Sequence, residues 1–102
     1  MNSQSIGTVG QSTGTYRSEF LVDAFGADGR TSRELAKDAG LSHQQIYESL
    51  DGGCKKIETL TSIVEALRSR FPKLQVKHFF DFDLTRDRFR RDVLEGGSRA
   101  RR

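Results

Sequence analysis

From residue 16 onward, apolar residues recur every three or four positions; before it they do not. Tyr16, Phe20 and Ala24 are spaced by four, as are Leu21 and Phe25, with Arg17, Glu19 and Asp23 between them. This is the 3.6-residue period of an amphipathic helix, with Gly26 as its expected stop and Asp28-Gly29 as a turn. Thr31-Ser-Arg-Glu34 then reads as a capping box: the Thr hydroxyl accepts from a free backbone N–H three residues on, and Glu34 reaches back. Leu35, Ala36 and Ala39 form the apolar face of that second helix. Gly40 ends it, because glycine takes the left-handed conformation at least steric cost. Ser42-His-Gln-Gln45 repeats the capping box, and its helix places Ile46 and Leu50 one turn apart before Gly52-Gly53. A longer helix is predicted over residues 58–70, with Leu60, Ile63, Val64 and Leu67 inward. Arg68 and Arg70 stand near its negative end, and Pro72 blocks its continuation.

The pattern is double-edged over residues 74–84. Leu74, Val76, Phe80, Phe82 and Leu84 alternate like a strand, yet Val76, Phe79, Phe80 and Asp83 give a partial helical stripe. TRDRFRRDVLE follows as a short helix with Phe89, Val93 and Leu94 on one side and arginines on the other. Residues 1–15 hold only three apolar residues, Met1, Ile6 and Val9. Such a segment cannot bury enough surface to offset its ordering entropy and is expected to be a disordered arm. It carries no Arg or Lys, so a phosphate-gripping role for it is not expected.

Length and chemistry narrow the picture further. A chain of 102 residues suits one small domain. Its lone Cys54 fits a reducing, intracellular setting and a semi-buried thiol. No apolar run approaches the ~20 residues that span a bilayer, and the N-terminus lacks the basic start and apolar segment of a signal peptide. His43, His78 and Cys54 lack metal-ligand spacing, so neither a metal nor any other cofactor is expected. No nucleophile–base pairing, P-loop or GxGxxG appears, and no enzyme is expected. The net charge of +3 is only mildly basic, but its distribution is uneven. Residues 84–102 hold seven arginines against three acidic residues, an excess of four that exceeds the net charge of the whole chain.

Two short capped helices joined at a Gly with a Leu after it make a helix-turn-helix pattern. Ala36 and Ala39 are small where the second helix crosses, Gly40 tolerates positive φ, and Leu41 is an apolar plug. The stretch SRELAKDAGLSHQQIYESLDGGCKKIETLTSIVEAL resembles the Xre/Cro-type, phage-repressor-like helix-turn-helix family. The motifs that carry the resemblance are ELA, the AGLS turn, the Ile46 to Leu50 helix, the GG loop and the ETL..IVEAL helix. It covers residues 16–80, since RFPKLQVKHFF is similar to the end of these domains, where a short fifth helix follows a Phe-Pro step. That tips Val76 to Phe80 towards helix. The resemblance implies an all-α, compact five-helix lambda-repressor-like domain over residues 16–81, followed by a C-terminal extension over 82–102.

It also implies double-stranded DNA as partner, with the helix over residues 42–50 laid into the major groove. Projecting that helix at 100° per residue sets Gln44 and Glu48 opposite the buried pair, with Gln45 and Tyr47 flanking and His43 at its N-terminal end. Gln pairs bidentately with adenine, and His donates to a guanine acceptor. Tyr47 meets a thymine methyl or a phosphate, or packs on the first helix instead. Glu48 is awkward beside phosphates: it accepts from cytosine, excludes wrong bases, or pairs with a nearby Arg. For phosphates the resemblance points to Ser32 at the start of the second helix and to Lys55 and Lys56 after the Gly pair. Ser42, Arg30 and Arg33 are further candidates. The family often has Pro and then Ser or Thr where this chain has Lys55 and Lys56, which weakens the cap of the next helix and adds charge.

These features predict a cytoplasmic, nucleoid-associated transcriptional regulator, a repressor on a pseudo-palindromic operator, acting as a homodimer. Phe79, Phe80, Phe82, Leu84, Phe89, Val93 and Leu94 are the candidate dimerisation residues, unless they cover the domain's own core. The rival class is an antitoxin-like or phage-encoded adaptor whose Arg-rich C-terminal helix grips an acidic partner protein.

Overall fold

The computed structural model describes residues 15–95. The arm expected over residues 1–15 therefore lies, apart from Thr15, outside the described residues, as does the basic tail from residue 96. All regular structure among the described residues is helical. Five α-helices follow in order: α1 (Ser18–Asp28), α2 (Ser32–Ala39), α3 (His43–Leu50), α4 (Ile57–Leu67) and α5 (Arg86–Phe89). A 3₁₀ turn spans Val76–Phe80, and a π turn at Arg90–Glu95 continues α5. The all-α, five-helix expectation holds. The alternating pattern over residues 74–84 forms no strand, because Phe71, Leu74 and Phe79 turn inward from successive tight turns instead.

Local chemistry sets most boundaries. Both capping boxes close: Glu34 N–H donates to Thr31 Oγ1 at 3.1 Å, and Thr31 N–H to Glu34 Oε1 at 2.8 Å. α4 starts at Ile57 behind Lys56, which makes no side-chain cap, as the missing hydroxyl residue implies. One boundary moves. Gly26 does not stop α1, which runs two residues further and ends against Gly29 at φ 87°. A glycine inside a helix costs only about 1 kcal/mol, and Asp28 beyond it is anchored strongly enough to outweigh that.

The anchor is a clamp on Arg30. Asp28, whose side chain is fully buried, takes Arg30 Nε at 2.7 Å and Nη2 at 2.7 Å. Arg30 Nη1 reaches Asp38 at 2.8 Å, and Nη2 also donates to the Ala66 carbonyl at 3.0 Å. One guanidinium thus joins the end of α1, α2 and the last turn of α4. Burial pulls the Asp28 carboxyl upward, but the hydrogen bonds and charge of Arg30 outweigh it and hold the carboxyl below the usual carboxylate range.

The segment after residue 81 belongs to the same core. Phe89 is fully buried and stacks on Phe20 of α1, ring centroids 4.3 Å apart and planes 8° apart. Val93 and Leu94 are buried in the same cluster, and Phe80 and Leu84 pack against it. Arg17 fastens the segment from the other side: its backbone N–H donates to the Phe79 carbonyl at 2.7 Å, and its Nη1 to the carbonyls of Asp81 and Leu84 at 2.8 and 2.9 Å. Asp23 of α1 meets Arg86 at 2.6 Å. As a dimerisation surface, then, Phe79, Phe89, Val93 and Leu94 are corrected: each fills the domain's own interior and offers nothing to a second copy. Of that set only Phe82 is exposed, at 59%, with the Arg17 guanidinium 5.6 Å from its ring.

Candidate nucleic-acid interface

The turn between α2 and α3 is built by short-range bonds. Gly40 takes φ 74°, which lets Leu41 N–H reach back to the Ala36 carbonyl at 2.8 Å. Leu41 packs partly into the core, and Ser42 opens α3. Gln45 N–H donates to Ser42 Oγ at 3.2 Å, and Ser42 N–H to Gln45 Oε1 at 2.9 Å. Ile46 is buried, so α3 turns the opposite side outward.

That outer face carries Gln44, Tyr47 and Glu48, all exposed, with Tyr47 at 55%. His43 is half-buried and sets its ring edge-on to Tyr47, centroids 5.5 Å apart. Tyr47 therefore does not pack on α1; it leans on His43 at the surface. Gln45 is half-buried, and its side-chain oxygen holds the helix start. What it keeps for a base edge is chiefly its NH₂ donor.

The far end of α3 is fixed by a residue that sequence reading placed only in the core. The Tyr16 hydroxyl donates to the Ser49 carbonyl at 2.5 Å and accepts from Cys54 N–H at 3.2 Å. Burial pushes this hydroxyl above its usual range, so it stays protonated and able to donate. Ser49, itself fully buried, donates its hydroxyl to the Gln45 carbonyl at 2.8 Å. Gly53 N–H closes the turn onto the Glu48 carbonyl at 2.8 Å. A tyrosine where phenylalanine would fill the same space was the available signal, but its partners lie 33 and 38 residues away. Tyr16→Phe removes both of these hydrogen bonds and is expected to cost about 1–3 kcal/mol. A lowered urea midpoint with unchanged slope is the expected readout; an unchanged midpoint would show that the hydroxyl is dispensable.

A cleft of about 490 Å³ lies between α3 and the start of α4, lined by Gln45, Glu48, Ser49, Lys55, Lys56 and Thr59 among others. Lys55 and Lys56 are exposed, and no ion pair engages them among the described residues. Arg33 is likewise exposed and without an ion pair there. Ser42 is exposed with its hydroxyl hydrogen free to donate onward. Two phosphate candidates fare worse. Ser32 is only 9% exposed. Arg30 spends its guanidinium on the clamp described above and is corrected from a phosphate ligand to a structural residue. No cluster of His, Cys, Asp and Glu that could hold a metal ion occurs among the described residues, and no helix among them is long and apolar enough to cross a membrane. The chain matches no protein-family model, and comparisons with curated proteins and with solved structures find no match.

Proposed function

We propose that this protein is a sequence-specific DNA-binding transcriptional regulator that reads its site with α3. The observation that carries the reading is the outer face of α3. Gln44, Tyr47 and Glu48 stand exposed on a short helix locked at both ends, beside a cleft with two exposed lysines. Rigid polar and aromatic groups on one helix face suit base edges in the major groove, where Gln pairs with adenine and a tyrosine ring meets a thymine methyl. Lys55 and Lys56 line the cleft beside that face and, with exposed Arg33 on α2, supply phosphate contacts, which give affinity without sequence information. One such helix reads only a few base pairs. Two copies on half-sites about 34 Å apart would read a pseudo-palindrome, and occupying an operator that overlaps a promoter would repress.

A mobility shift with the DNA upstream of the protein's own gene, in salt steps with competitor DNA, tests this. The wild type is expected to prefer one site. Gln44→Ala should weaken that site by about ten-fold or more, the loss of one bidentate pair, while competitor binding stays the same. Replacing Lys55 and Lys56 with alanine should weaken both and flatten the salt dependence by about two units of slope. A wild type without preference over competitor removes this reading. It would favour a partner-protein adaptor, for which exposed Arg88 and Arg91 remain, since Arg86 and Arg90 are turned to Asp23.

A further inference from the structure

One group on the outer face of α3 opposes the function proposed above. Glu48 is exposed one turn after Gln44, on the rim of the cleft that also carries Lys55 and Lys56. Its backbone carbonyl accepts from Gly53, and the next carbonyl accepts from Tyr16, so the turn that presents it is held in place. Among the described residues no ion pair or side-chain hydrogen bond engages its carboxylate. Asp23, Asp28 and Asp38, by contrast, each meet an arginine. The third role open to Glu48 from sequence, pairing with a nearby Arg, is therefore not used among these residues. A carboxylate on this face would sit a few ångströms from phosphates, well inside the screening length of about 8 Å. The repulsion is useful only if the carboxylate meets a donor.

The major groove offers few donors. A carboxylate has acceptors only. Guanine and thymine present acceptors on that edge, and adenine sets a ring-nitrogen acceptor beside its amino group. Cytosine alone shows an amino donor with no adjacent acceptor of its own. We propose that Glu48 is a specificity-determining residue that selects cytosine at one position of each half-site, largely by penalising the other three bases. The inference rests on α3 reading DNA as proposed above. The two lysines across the cleft complement it: they hold the phosphate track while Glu48 faces the base edge.

Selection from a duplex library with randomised positions, sequencing the bound fraction for wild type, Glu48→Gln and Glu48→Ala, tests the assignment. The wild type is expected to enrich a motif with cytosine favoured about ten-fold at one position per half-site. Glu48→Gln exchanges one oxygen for a donor and should abolish that preference while every other position keeps its own. Glu48→Ala should flatten the same position and bind competitor DNA more tightly. Thermal melting followed by circular dichroism should be unchanged in both, since the side chain is exposed and makes no ion pair among the described residues. A Glu48→Gln motif identical to wild type overturns the assignment and leaves DNA reading by α3 intact, as does a responsive position that favours any base other than cytosine. A wild type that enriches no motif removes both.

Discussion

Phe89→Ala is expected to destabilise the domain by about 3–5 kcal/mol, the usual cost of truncating a fully buried phenylalanine. The ring is wholly covered, stacked on Phe20, and edge-on to both Phe79 and His78. Since small domains hold only about 5–15 kcal/mol in reserve, the melting temperature should fall by about 15 °C or more. A chain ending at Asp81 loses Val93, Leu94 and the Arg86–Asp23 pair as well, and should show no cooperative thermal transition. If the segment were an appendage that only joined two copies, both proteins would melt like wild type and differ in sedimentation alone. The melting experiment separates these outcomes directly.

Removing the partner of a buried charge should cost about as much. Arg30→Met leaves the Asp28 carboxylate buried without its guanidinium, held only by the backbone N–H of residue 30, and is expected to cost about 3–5 kcal/mol at neutral pH. The effect has a pH signature. In the wild type the carboxyl of Asp28 is held below its unfolded value. It thus contributes stability above the unfolded pKa and loses it as pH falls through the lower folded value. In the variant burial, the largest influence on this carboxyl, is opposed only by the backbone N–H of residue 30 and the charge of Arg70, so the carboxyl moves upward. The penalty is then full at neutral pH and relieved as the group takes up its proton. Both changes act in one direction, so urea midpoints of the two proteins should converge between pH 7 and about pH 3.5. A difference that stays constant with pH would mean that the arginine acts through packing alone.

These two residues also show what a sequence can and cannot disclose. Thr31 with Glu34, Ser42 with Gln45, and Gly40 were legible because their partners lie within four residues, where spacing alone decides the geometry. Leu60, Ile63, Val64 and Leu67 were legible from periodicity. Arg30 was not, because its ligands come from three helices and a lone arginine before a capping box reads equally well as a DNA ligand. Residues 74–84 stayed ambiguous since alternation and a short helical stripe select nearly the same apolar positions. The apolar set from Phe79 to Leu94 announced burial but not by what: a neighbouring helix and a second copy impose the same pattern. Within the candidate interface, the outward placing of Gln44 and Glu48 followed from projection. Tyr47 and Gln45 projected alike to the flanks of α3, and only the fold exposes the first and half-buries the second. The lock on the far end of α3 by Tyr16 was not legible either, because only the fold brings that hydroxyl to Ser49 and Cys54.

The Phe20–Phe89 stack has a consequence for how the molecule is made. A ribosome releases the chain from its N-terminal end, so Phe20 emerges nearly seventy residues before the ring that covers it. Until then α1 shows a bare aromatic face to the crowded cell, and the helices already made must wait. The core closes only once Phe89, Val93 and Leu94 have been made.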